Sequence, residues 1–335
     1  MNEKKDEKKD LKKRSIPLIP ILLGVLAVVI LAGGFLIIRG IYRAPLAPAM
    51  NLPTPTSSVA AVEVTQVPTA VPVTPPVCGQ TGTMTILFLG SDTSFGNPPY
   101  GADAVRIIKV DFDAQRITFV TFSRDLVVPA AVLGDPSHSQ APLGLIFYYA
   151  KQASSGTSTQ KNAAAAKVMA QVMMEDFGVG FTNYAAFQMD QVAVLIDEIG
   201  GVDINIPAAI TTEHDVHYSA GQQTLSGALS TEYVRFLNPG GESARTARQN
   251  AFIQALFAKV TNISILPHIP ALLAEYQNAV ITDLSPEQLV NLTCLVEKTP
   301  QANVSFASVD TPALVVNNVP NLAAIKTFLT LTLGQ

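Results

Sequence analysis

MTILFLGSD, residues 84–92, is an apolar run that stops at a glycine, a serine and an acid. Its length suits a strand and is too short for an ordinary helix, so it predicts a strand that feeds a loop at Asp92. Val105–Val110 and Arg116–Phe122 are also β-rich, and the polar stretch Asp111–Gln115 between them predicts a hairpin. Helical patterns follow. Over Asn162–Phe177 the residues Val168, Met169, Val172, Met173 and Phe177 share one stripe, which reads as core. Gln191–Ile199 predicts a helix stopped by Gly200 and Gly201, with Val202–Ile206 as the next strand. Ser226 is placed to cap a helix through Tyr233, and Ala244–Val260 predicts a longer helix. Ser285, Pro286 and Gln288 form a helix-start signature: a capping side chain, proline in the first turn and a reciprocal glutamine. Alternating strands and helices of this kind predict an α/β domain.

Upstream of that domain the composition changes three times. Residues 1–15 form a basic tail; within residues 1–14, seven Lys/Arg face four Asp/Glu. Ile16–Ile38 then runs for 23 residues without a charge. At about 1.5 Å per residue that is enough to span a hydrocarbon core of roughly 30 Å, so a single transmembrane helix is expected over 16–38. The excess of Lys/Arg before it predicts a cytoplasmic N-terminus and an extracytoplasmic remainder at the cell membrane. Residues 39–77 read as a linker, since Ala44–Val77 holds eight Pro, five Thr and one charge, Glu63. The domain is expected over 78–335. Two cysteines, Cys78 and Cys294, lie outside the predicted membrane span, where a disulfide and two thiols are both open.

Charge narrows the function. From Cys78 onward 13 Lys/Arg face 21 Asp/Glu, a net of −8, which argues against nucleic acid as a partner. An anion bound here must be held by a few placed cations. The same residues include six arginines: Arg106, Arg116, Arg124, Arg235, Arg245 and Arg248. Arginine's planar fork matches phosphate oxygens, and it stays charged when partly buried. Arg245, Arg248 and Gln249 fall at i, i+3 and i+4 on a predicted helix, either as a binding face or as a solvated one. Asp92 and Asp103 flank predicted strands, as ordinary loop acids or as oxygen ligands for Mg²⁺. Arg124 and Asp125 follow a strand, as a local ion pair or as part of a site. His214 and His217 form a lone pair in a polar stretch and read as loop rather than metal site.

The segments ILFLGSD (86–92), GADAVRIIKVD (101–111), ITFVTFSRDLVVP (117–129), NYAAF (183–187), LIDEIGGVDINIP (195–207), AGQQTLSGALSTEYVRF (220–236) and RTARQ (245–249) occur in one order. In that order they resemble the LytR–CpsA–Psr family of cell-wall glycopolymer–peptidoglycan ligases, over roughly residues 84–265. The resemblance implies an α/β/α sandwich around a central mixed β-sheet. It also implies a Mg²⁺-dependent phosphotransferase at the membrane, with polyprenyl diphosphate-linked glycan and peptidoglycan as partners. Carried over by position, Asp92 and Asp103 match metal-binding carboxylates. Arg124, Arg235, Arg245 and Arg248 match diphosphate contacts, and Gln249 a pocket glutamine. Asp103 and Asp125 are the candidates for the catalytic base, with Arg124 beside them. The chain departs from the family pattern at Ser94, Gly101 and Leu237, where cations are common, and GLIFYYAK (144–151) replaces an Asn/Ala-rich segment. A binding or regulatory module that retains the lipid diphosphate without transferring the glycan is the alternative expectation.

Overall fold

A computed structural model describes residues 40, 42–52, 76–91, 101–262 and 280–334. The expected tail (1–15) and membrane span (16–38), Asp92, Ser94 and most of the linker lie outside them. Among the described residues no helix is long and apolar enough to cross a membrane. The chain divides into two units, Met1–Ala44 and Pro45–Gln335, and the second contains the sheet and the helices packed on it.

Its strands are β1 (Thr83–Ser91), β2 (Ala102–Asp111), β3 (Arg116–Phe122), β4 (Val127–Pro129), β5 (Gln140–Pro142), β6 (Asn183–Gln188), β7 (Val202–Ile206), β8 (Ile210–Thr211), β9 (His217–Tyr218), β10 (Gly221–Leu225), β11 (Val280–Thr282), β12 (Val304–Val309), β13 (Val315–Val316) and β14 (Val319–Pro320). The helices that matter for the site and its support are α1 (Leu143–Ala153), α2 (Ser158–Phe177), α3 (Met189–Glu198), α4 (Gly227–Arg235), α5 (Gly241–Asn262), α6 (Pro286–Lys298) and α7 (Leu322–Leu333). Six strands form one mixed sheet in the order β11-β6-β1-β2-β3-β12. β1 runs antiparallel to β2 and parallel to β6, and β12 runs parallel to β3.

The apolar run from Met84 belongs to β1, one of the two central strands of this sheet, and is buried on both faces. That explains its lack of period-2 alternation. Leu87 and Leu89 join a core with α1, α2 and α7, while Met84 and Ile86 join a second core with Phe257 of α5 and Leu295 of α6. The expected layering of helices on both faces of a mixed sheet is therefore present. Each fully buried Leu or Ile of these cores contributes about 1.5–3 kcal/mol relative to exposure. A third cluster packs β7 and β10 against α3, α4 and α5.

Helix starts follow the sequence signals. Ser285 and Gln288 close a reciprocal cap on α6, and the Ser226 side chain accepts from Leu229 N at the start of α4. Three helices begin earlier than expected, α3 at Met189 rather than Gln191 among them. A capping box between Thr157 and Gln160 starts α2 at Ser158, ahead of the expected Asn162, and α5 begins at Gly241 rather than Ala244.

Two findings concern the start of the domain. Cys78 and Cys294 form a disulfide, which fastens the segment before β1 to α6. Residues 46–50, part of the expected linker, pack on the domain. Met50 is 2% exposed and its N–H donates to Asp283 Oδ2 at 3.1 Å, while Leu46 N donates to Leu284 O. Asp283 also accepts from Tyr184 N at 2.8 Å and Asn183 Nδ2 at 3.3 Å, and its burial pushes the carboxyl pKa up against those three bonds. Proline-rich composition does not reveal this clasp, because the acceptor for Met50 lies 233 residues away in the chain.

Candidate functional site

The site forms where β2 begins, β3 ends and α5 enters. Asp103 stands at the start of β2, and Arg124 follows β3 in the turn to β4. Arg124 Nη1 donates to Asp103 Oδ1, and its Nε lies 3.6 Å from Asp125 Oδ1, an ion-pair distance too long for a hydrogen bond. Burial works against the Arg124 charge, but Asp103, then Asp125 and Glu242, outweigh it and raise the guanidinium pKa. On α5, Arg245 Nη2 donates to Glu242 Oε1 at 2.7 Å, one turn apart. Asp103, Arg124, Glu242 and Arg245 thus form one cluster of alternating charge.

Three of its atoms are buried without a hydrogen-bond partner: Arg124 Nε, Arg245 Nε and Glu242 Oε2. Buried polar atoms are nearly always paired, so two idle donors in one cluster suit an anionic ligand. Arg245 is 3% exposed, which makes its idle donor costly without one.

The other expected residues are placed differently. Arg248 donates through Nε to Tyr233 O at 3.2 Å and through Nη2 to Phe236 O. Its guanidinium carbon lies 3.5 Å from the Phe236 ring centroid. Those donors close the C-terminal end of α4, and burial lowers the Arg248 pKa. Arg235 stands in the last turn of α4. Gln249 Nε2 donates to Val234 O at 3.0 Å, and its Oε1 accepts from Arg106 Nη2 at 3.0 Å. Asp92 lies outside the described residues, but Ser91, which precedes it, pairs with Ala102, which precedes Asp103.

Glu242 and Arg106 are not among the expected site residues. Glu242 is legible as an acid three residues before Arg245 on a helix. Arg106 needs its strand face, which the sequence leaves open. His214 meets Glu232 at 3.0 Å, an exposed contact, and no group of three His, Cys, Asp or Glu suited to a metal occurs among the described residues.

The LytR_cpsA_psr family model matches residues 56–329. The chain belongs to the LytR–CpsA–Psr family. It is 24% identical over 210 residues to the polyisoprenyl-teichoic acid–peptidoglycan teichoic acid transferase TagU of Oceanobacillus iheyensis, covering 62% of this chain and 61% of that one. A Bacillus cereus protein of the same name is 30% identical over 100 residues, covering 29% of this chain and 33% of its own. The chain therefore spans about three fifths or less of the length of these curated relatives. Among solved structures, TagV of B. subtilis aligns with a TM-score of 0.59 at 18% identity, over 76% of this chain and 98% of that one. The structure described as TagT bound to LIIa-WTA aligns with a TM-score of 0.58 at 15% identity, over 76% and 92%. These likenesses establish the fold.

Proposed function

We propose that the chain moves a phosphate-linked glycopolymer from a polyprenyl diphosphate carrier to a peptidoglycan hydroxyl, releasing polyprenyl phosphate. The observation that carries this reading is the pair of buried guanidinium Nε–H groups on Arg124 and Arg245 that make no hydrogen bond. Family membership and the activity named for the teichoic acid transferase relatives support it.

In the proposed step the acceptor hydroxyl oxygen bonds to the phosphorus on the glycan side. The bond from that phosphorus to the bridging oxygen breaks, and polyprenyl phosphate leaves with the electron pair. The hydroxyl proton passes to a carboxylate. Asp103 and Asp125 remain the candidates, Asp103 with one oxygen on Arg124 and Asp125 about half exposed. Phosphoryl transfer asks chiefly for positioning and for cations around oxygens that gain charge, which Arg124 and Arg245 would supply. Asp103 offers the oxygen chemistry Mg²⁺ prefers, so Asp103 with Asp92 would hold the ion, which when bound neutralises phosphate charge. The anchor over 16–38 would keep the domain at the outer membrane face, beside lipid carrier and wall.

The binding-module reading draws on Arg248, whose donors serve α4, and on Ser94, Gly101 and Leu237, which carry no cationic side chain. One experiment separates the two. The full chain is incubated with polyprenyl diphosphate-linked glycan, Mg²⁺ and peptidoglycan, and both polyprenyl phosphate and wall-bound glycan are measured. Appearance of both supports transfer; tight lipid binding with neither product refutes it.

A further inference from the structure

Arg106 sits in the middle of β2 with 1% of its surface exposed. Its neighbours Val105 and Ile107 enter the core under α1 and α2, so alternation turns Arg106 to the opposite face, with Ile108. There Nη1 donates to Thr121 Oγ1 and Asn250 Oδ1, and Nη2 donates to Gln249 Oε1. All three acceptors are neutral, and no acid pairs with Arg106 among the described residues. Burial lowers its pKa to about 10, which leaves it charged at neutral pH. A buried charge held only by neutral dipoles is costly, and an apolar side chain would suit the surrounding layer better on stability alone.

Its placement supplies a reason for that cost. Thr121 lies three residues before Arg124, and Gln249 lies four residues after Arg245. Gln249 is held at both ends, by Arg106 at its oxygen and by Val234 O at one N–H, which leaves its second N–H as a donor. We infer that Arg106 is a buried positioning residue of the anion site, which fixes the Gln249 amide and adds positive charge behind Arg124 and Arg245. This rests on the diphosphate reading above.

The test measures inorganic pyrophosphate binding to the full chain by calorimetry, at fixed ionic strength, with thermal melts of each variant. Arg106→Met is expected to weaken binding about tenfold or more, the scale of losing one nearby, poorly screened charge. Arg106→Lys should recover part of that loss. Asn250→Asp gives Arg106 a carboxylate without altering shape, and should weaken binding while holding or raising the melting temperature. A purely structural staple predicts the reverse for Arg106→Met, a lower melting temperature with affinity intact. Affinity within about twofold of the wild type in a folded Arg106→Met variant overturns the inference. If that variant does not fold, the same result for Asn250→Asp overturns it. Failure of the wild type to bind pyrophosphate removes the diphosphate reading and this inference together.

Discussion

Gly101 and Gly144 approach each other backbone to backbone, and a methyl group at either should be expensive. A Cβ at Gly101 would lie 2.4 Å from Gly144 O and 2.8 Å from Gly144 C. A Cβ at Gly144 would lie 2.6 Å from Ala102 O and 3.0 Å from Arg124 Cβ. Ordinary contact begins near 3.4 Å, so backbone must move by most of an ångström in either case. Overpacking of this kind costs about 1–3 kcal/mol. The Gly144 N–H also donates to Arg124 O at 2.8 Å, and loss of that bond adds about 1 kcal/mol. Gly101→Ala should therefore destabilise by roughly 2–4 kcal/mol, or about 4–16 °C in melting temperature. Because the two glycines adjoin, the costs of Gly101→Ala and Gly144→Ala should not simply add in the double variant. Urea denaturation of the two single variants and the double measures this. A Gly101→Ala variant within about 0.5 kcal/mol of the wild type would refute the reasoning.

Replacing Cys78 and Cys294 by serine should cost about 2–5 kcal/mol, read from the shift in urea midpoint at constant slope. Asp283→Ala removes the acceptor of three hydrogen bonds and should cost about 2–4 kcal/mol, with faster proteolysis near Met50 as the local readout. Asp176 has a buried, partnerless Oδ2, and burial, then Glu175, raises its pKa to about 6. A carboxyl with a raised folded-state pKa favours folding most below its unfolded value, and that contribution is lost as pH rises through about 6. Asp176→Asn should thus stabilise by about 1 kcal/mol at pH 7, after allowance for partial exposure, and by nothing near pH 3. Melts at both pH values check the sign.

Much of the fold is legible in the sequence because its signals are local. The apolar run at 84–89, the hairpin around Asp111–Gln115 and the caps at Ser226 and Ser285 each depend on a few adjacent residues. α1 is not legible in this way: GLIFYYAK stands out only as a departure from a motif, yet it forms most of a helix. β12 completes the sheet edge beside β3 and is not among the expected strands. In the site, the scarcity of arginine leaves six candidates, and only the family resemblance selects Arg124, Arg235, Arg245 and Arg248 among them. What scarcity does not convey is how donors are spent. Helical spacing groups Arg248 with Arg245, but the contacts of Arg248 lie on α4 and its C-terminal end. Arg106 stays ambiguous until the faces of its strand are known.

The clasp at Asp283 and the disulfide behind it also have a mechanical consequence. A pull transmitted through the chain before residue 45 first loads the hydrogen bonds that Leu46 and Met50 make beside β11. Once those part, the load passes to Cys78, whose covalent link to α6 diverts it from the end of β1. The strand that leads to the charged cluster is thereby shielded behind a yielding catch and an unyielding one.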